Sequence, residues 1–234
     1  MSEGIIITRA GDTVLPAIYG WGIDVIKVIQ SIESPFLTSL MKFISSVGNE
    51  NFYILIIMLV FWCWNEKKGF LLGLAVIVSG WTNSFLKVLF DHPRPYEFEP
   101  ALGLAFEPTR GFPSGHAQNS MTFWIALAFI LSYSLVKRKN LRPLIWGFSG
   151  LVILLIGFSR LYLGVHFPTD VFFGWLASLI ILAAFYFLEK PAADFFTRNG
   201  KRPQRICAAA AVLLMNVLLP QDTSLAGLLL GFTI

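Results

Sequence analysis

The stretch GFPSGHAQNSMTFWIALAFILSY, residues 111–133, joins a small polar loop to a run that contains no Asp, Glu, Lys or Arg from Met121 to Tyr133. A helix that crosses a bilayer needs about 20 mostly apolar residues, and 114–136 supplies them. Working outward, comparable runs occupy 50–64, 69–90, 143–160, 170–188 and 206–219. Together they predict an all-α fold, a polytopic transmembrane helix bundle of about six spans. Composition points the same way. Of 234 residues, 56% are hydrophobic and only 14% charged, with mean hydropathy +0.68, whereas soluble domains carry about 25% charged residues.

The segment IYGWGIDVIKVIQSIESPFLTSLMKFISSVG mixes apolar residues with Asp24, Lys27, Glu33 and Lys42. At helical spacing it reads as an amphipathic N-terminal helix, suited to lying on a membrane surface or against other helices, with a distorted extra span as the alternative. The chain therefore divides as one integral membrane domain over 1–234. It comprises an amphipathic N-terminal segment (1–48), a helical core (49–190) and a further apolar segment (206–234), the last interrupted by Pro220. The opening MSEGIIITRAGDTVLP has neither a basic start nor a small-residue cleavage site, so no signal peptide is expected. Cys63 and Cys207 are too few for a disulfide framework or a four-ligand zinc site and read as small buried hydrophobes.

Basic residues orient the helices. Lys67 and Lys68 fall in one connection, Lys137, Arg138, Lys139 and Arg142 in another, and Lys190, Arg198, Lys201, Arg202 and Arg205 in a third. Positive residues in short loops face the cytoplasm, which puts segments 91–113 and 161–169 on the extracytoplasmic side. Trp62, Trp64 and Trp146 near the basic connections suit an interfacial aromatic belt. Topology accounts for these clusters, and no nucleic-acid partner is expected; the partner is the bilayer itself. Nothing in the sequence sets an oligomeric state.

The two extracytoplasmic segments concentrate chemistry. One carries KVLFDHPRP, with Lys87, Arg94 and Pro95, and ends in PSGH, with Ser114, Gly115 and His116; the other is framed by SRLYLGVHFPTD, with Ser159, Arg160, His166 and Asp170. Singly, each has an ordinary reading: Lys87 snorkelling from a helix end, Asp170 capping a helix, His92 and the other histidines packed in the structure. In combination, ionisable groups gathered at one membrane edge mark a functional site. PSGH opens a helix, where unsatisfied N–H groups and the dipole favour an anion, and glycine permits close approach. Arg94 and Arg160 offer bidentate contacts to phosphate oxygens. Pro168 argues against one continuous helix through His166 and Asp170, so a turn should deliver both side chains.

The patterns K-x6-R-P (Lys87 to Pro95), P-S-G-H (Pro113 to His116) and S-R-x5-H-x3-D (Ser159 to Asp170) resemble the three signature motifs of the type 2 phosphatidic acid phosphatase family. They match in order, without a substitution, within 84 residues. The resemblance implies a helical membrane phosphatase acting on lipid phosphates or diphosphates with no metal and no cofactor. It further implies His166 as nucleophile, Asp170 as its orienting partner, His116 as general acid, and Lys87, Arg94, Ser114, Gly115 and Arg160 as the phosphate site. Bacterial members typically have three spans before the first motif; here only two are clear. The loop YEFEPALGLAFEPTRG reads equally as a lid over the headgroup or as a plain connection, with Glu97, Glu99 and Glu107 scattered along it.

A phosphate site at the outer membrane edge suits a membrane lipid substrate, a polyprenyl diphosphate or a glycerophospholipid phosphate first. The plasma membrane is the expected location. Rival readings are a lipid phosphotransferase using the same phosphohistidine, a vanadium-dependent haloperoxidase, and a non-catalytic lipid-phosphate binding or transport protein.

Overall fold

A computed structural model describes residues 15–134, 139–220 and 223–233, and among these no strand occurs. The helices run α1 Leu15–Gln30, α2 Pro35–Ser46, α3 Glu50–Cys63, α4 Glu66–Phe90, a one-turn α5 Pro95–Phe98, α6 Gly115–Ser134, α7 Arg142–Tyr162, α8 Pro168–Asn199, α9 Lys201–Leu218 and α10 Ser224–Thr233. The starts of α2 and α4 follow the capping rules. Ser34 precedes Pro35 and accepts the Leu37 N–H at 3.3 Å, and Asn65 accepts the Lys68 N–H at 3.0 Å. α4 stops at Asp91, whose φ of 50° is left-handed, and Pro93 follows two residues later.

Three segments are long and apolar enough to cross a membrane: Glu66–Phe98, Arg142–Tyr162 and Pro168–Asn199. A fourth arises if α2 and α3, bent by 44° at their junction, act as one span. The sequence predicts about six. The difference at α6 has a physical cause, because its first two turns carry His116, Gln118, Asn119, Ser120 and Thr122. Those residues sit inside the bundle, where α6 packs against α4, α7 and α8. These first turns need no lipid-facing apolar surface, whereas Phe129 and Tyr133 further along α6 are exposed. Outward faces of the other helices do expose one: Leu144, Leu154, Ile180 and Leu213 are each at least 58% exposed. In water such a surface would be a liability; against acyl chains it is the expected exterior.

Core clusters tie the bundle together. Tyr53, Ile57, Val60, Leu72, Phe123 and Leu127 join α3, α4 and α6, with the Tyr53 and Phe123 rings stacked at 4.6 Å. Ile77, Met215, Ala226 and Leu229 fasten α9 and α10 to α4. The N-terminal segment is two helices rather than one. α1 buries Ile26 against Leu102 and Phe167, and Gln30 at its end donates to the carbonyls of Leu102 (2.9 Å) and Tyr162 (2.8 Å). It therefore braces the loops that carry the histidine and arginine motifs.

Two further departures from the sequence reading stand out. α8 runs on past residue 188 to Asn199 with Pro191 inside it, so only Gly200, at φ 76°, separates it from α9. Cys63 and Cys207, expected to be buried, are exposed, because both lie on outward faces of α3 and α9. Lys137 and Arg138 lie outside the described residues.

Candidate active site

Helix ends build the site. Lys87 is in the last turn of α4, His116 in the first turn of α6, Arg160 in the last turn of α7 and Asp170 in the first turn of α8. Antiparallel neighbours bring these ends to one edge of the bundle, around a cavity of about 370 Å³. Lys87, Arg94, Gly115, His116 and His166 line it together with Asn49, Asn83, Glu107, Thr109 and Asn119. Arg94, Arg160, His166 and Asp170 are each at most 2% exposed. The two arginines are thus buried rather than surface charges, and a buried cluster of charge is the kind of feature that marks function.

His166 sits just outside α8. Pro168 takes the first helical position, Phe167 caps the helix, and Asp170 accepts the Phe167 N–H at 2.9 Å. The same oxygen, Oδ2, lies 3.3 Å from His166 Nδ1. The turn expected at Pro168 is present, and the capping role and the histidine contact of Asp170 coexist on one atom. With Nδ1 on the carboxylate, Nε2 is the nitrogen on the cavity side, 3.3 Å from Arg94 Nη1. Burial first, then the positive charges of Arg94, Lys87 and Arg160, hold the imidazole well below the usual histidine range. The ring is therefore neutral at pH 7, and its Nε2 lone pair accepts from Arg94 Nη1.

Arg94 is locked by backbone carbonyls. Nε donates to Thr109 (2.6 Å), Nη1 to Val165 (2.8 Å) and Nη2 to Arg110 (3.1 Å). Lys87 Nζ donates to the Arg110 carbonyl and to Thr109 Oγ1. Arg160 pairs with Glu107 and donates to Ser45 Oγ, while its Nε has no acceptor among the described residues.

The PSGH turn is fixed from two sides. The Ser114 N–H donates to the Asp170 carbonyl at 3.0 Å, which couples the starts of α6 and α8. Asn83 Nδ2 donates to the Pro113 carbonyl at 3.1 Å and to Gln118 Oε1 at 3.0 Å. A Cβ on Gly115 would fall 2.9 Å from Asn83 Oδ1, so this glycine is required by close approach. Gly164, at φ 67°, is required more strictly, since a Cβ there would lie 1.8 Å from the Leu102 carbonyl oxygen. It shapes the turn that leads from Arg160 to His166.

All eight candidate residues thus gather at one place: five line the cavity, and Ser114, Arg160 and Asp170 stand directly behind it. His92 does not take part; its ring packs among Tyr19, Phe90 and Phe112. Sequence reasoning missed Ser45, Asn49, Asn83 and Thr109. It left Glu107 among scattered carboxylates, although that residue pairs with Arg160. The long loop it read as lid or connection delivers Glu107 and Thr109 to the cavity wall.

Residues 68–192 match the sequence model of the PAP2 superfamily. The chain belongs to this superfamily. Phosphatidylglycerophosphatase B of Bacillus subtilis is 30% identical over 168 residues, covering 70% of this chain and 79% of that protein. Undecaprenyl-diphosphatase of Sulfolobus acidocaldarius is 29% identical over 161 residues, covering 67% and 73%. The crystal structure of a transmembrane PAP2 type phosphatidylglycerolphosphate phosphatase from Bacillus subtilis matches with a TM-score of 0.67 at 28% identity, over 74% of this chain and 87% of that one. As a PAP2 protein the chain is a phosphoric monoester or diphosphate hydrolase, and its helices are those of an integral membrane protein. Every one of the eight residues lies inside the PAP2 match, whereas Ser45 and Asn49 lie before it.

Proposed function

We propose that this chain hydrolyses a lipid phosphate or diphosphate, without a metal ion, at the extracytoplasmic face of the plasma membrane and through a phosphohistidine on His166. The observation that carries the reading is His166 itself, held neutral and wedged between Asp170 Oδ2 and Arg94 at the wall of a headgroup-sized cavity. Once the Arg94 Nη1 N–H turns from Nε2 to a phosphate oxygen, the Nε2 lone pair attacks phosphorus while the bond to the lipid oxygen breaks. Asp170 fixes the tautomer and stabilises the imidazolium that forms. His116 gives its proton to the departing oxygen, then takes one from the water that attacks the phosphohistidine, so that the P–N bond breaks and phosphate leaves. Lys87, Arg94, Arg160, the Ser114 hydroxyl and the Gly115 N–H at the start of α6 hold the non-bridging oxygens, whose charge rises in the transition state. A phosphate oxygen would also satisfy Arg160 Nε, which is costly to leave buried without an acceptor.

The preferred substrates are a polyprenyl diphosphate or a glycerophospholipid phosphate, whose chains stay in the bilayer while the headgroup enters. In this reading the whole chain is one membrane domain, with α3, α4, α6, α7, α8 and α9 as its six spans and α1 and α2 as the N-terminal amphipathic segment. Lys67 and Lys68 at the start of α4, Arg142 at the start of α7 and Arg198 near the end of α8 lie at the ends remote from the site, which supports the orientation. Single cysteines at 98, 140 and 200 in a cysteine-free background test it: position 98 should label from outside and the other two from the cytoplasm.

The activity test is phosphate release in mixed micelles with EDTA present, for wild type and His166→Ala, across phosphatidic acid, phosphatidylglycerol phosphate and undecaprenyl diphosphate. Wild-type turnover that vanishes in the variant is expected. Turnover that needs an added acceptor alcohol would make the chain a phosphotransferase, and chelator-sensitive turnover would defeat the metal-independent reading.

A further inference from the structure

The turn between α2 and α3, residues 47–49, lies outside the PAP2 match. It nevertheless reaches into the site at His116. Asn49 Oδ1 is 2.8 Å from His116 Nε2. Next to it, Gly48 packs so closely on the ring that a Cβ there would sit 2.9 Å from His116 Cδ2. Asn49 also occupies the N-cap of α3, where an asparagine side chain ordinarily accepts a first-turn N–H and stabilises the helix by about 1 kcal/mol. Here it makes no such bond. The side chain has been turned away from its own helix and onto a histidine 67 residues further along the chain.

We infer that Asn49 is a positioning residue for His116, fixing which ring nitrogen exchanges protons with the substrate. The inference rests on the reading of His116 as the acid and base of the reaction. A carbonyl oxygen can only accept, so Nε2 keeps its proton in both charge states of the ring. Nδ1 is then the nitrogen that gives a proton to the departing lipid oxygen and later takes one from water. A neutral amide suits this shuttle better than a carboxylate, because it selects the tautomer without trapping the imidazolium. The bend between α2 and α3 thereby becomes part of the active site, and Gly48 lets the turn approach closely enough.

Two amphiphilic substrates separate positioning of an acid from general structural support. Dodecyl phosphate leaves as a poor alkoxide and needs the proton; a dodecyl-substituted nitrophenyl phosphate leaves without much help. kcat/KM reports the steps up to leaving-group departure for both. Asn49→Leu should lower kcat/KM for dodecyl phosphate by at least about 10-fold, a part of the ~10²–10⁴-fold that general acid catalysis supplies. The nitrophenyl substrate should change less than about 3-fold, since it largely bypasses the same term. Asn49→Asp keeps an acceptor and adds a negative charge, so it should retain alkyl activity with the alkaline limb of the pH profile moved to higher pH. Equal losses with both substrates, or no loss, would overturn the role of Asn49. His116→Ala measured with the same pair tests the underlying reading. If His116→Ala hits both substrates equally, His116 is not the acid. If it is selective and Asn49→Leu is not, only the positioning role fails. Should Asn49→Leu not fold, Asn49→Asp and Asn49→Ser carry the comparison.

Discussion

Replacing Asp170 by Asn removes one charge and no heavy atom. In the native site Oδ2 lies 3.3 Å from His166 Nδ1 and accepts the Phe167 N–H at 2.9 Å. When His166 attacks phosphorus its ring becomes cationic, and at an effective dielectric of about 20 a carboxylate at that distance interacts with it by about 5 kcal/mol. Arg94, 3.3 Å from the other ring nitrogen, opposes the cation and makes the carboxylate more necessary. Part of the interaction is offset by the amide of the variant, so a fall in kcat/KM of about 10³-fold, or about 4 kcal/mol, is expected. The helix cap weakens by only about 1 kcal/mol, since the asparagine carbonyl still accepts from Phe167. For a chain of this size that moves the unfolding midpoint by about 2–4 °C. The assay pairs initial rates of phosphate release in mixed micelles with thermal unfolding of the same detergent-solubilised protein. Activity within about 3-fold of wild type would refute the argument, because the loss of the carboxylate would then fall far short of the range for an oriented histidine. So would a rate loss that merely tracks the unfolded fraction.

Gly115→Ala places a Cβ 2.9 Å from Asn83 Oδ1 and should push the PSGH turn out of line, destabilising by about 1–3 kcal/mol and lowering kcat/KM by more than the matched Gly147→Ala, whose Cβ meets nothing within 4 Å. His166 is held neutral below the usual histidine range, so on acidification the unfolded chain binds a proton that the folded chain refuses. Its contribution to stability is present in full above about pH 6.5 and is lost as pH falls below that value; denaturation midpoints between pH 7.5 and 5 should drop, and should drop less in His166→Gln.

The motif residues were legible in combination: each has an ordinary reading alone, but together they gather ionisable groups at one membrane edge. Lys87, Arg94, His116, Arg160 and Asp170 declared themselves by cost and spacing. Pro168 announced the turn that presents His166. Their supports did not. Asn83 meets Pro113 and Gln118 across α4 and α6, and Asn49 meets His116 across the α2–α3 corner. Such pairings are set by helix packing and leave no local pattern in the chain. The span read at 114–136 matches α6, whose polar first turns are tolerated because neighbours surround them. The sequence misplaces the end of α8: the apolar run stops at 188, but the helix continues through Pro191 to Asn199.

The central claim is the covalent step at His166. Wild-type protein incubated with a radiolabelled lipid phosphate in EDTA, then quenched in base, should carry label that survives alkali, is released by acid and maps to the peptide containing His166; His166→Ala should carry none. Label on another residue, or full turnover by His166→Ala, would contradict the account.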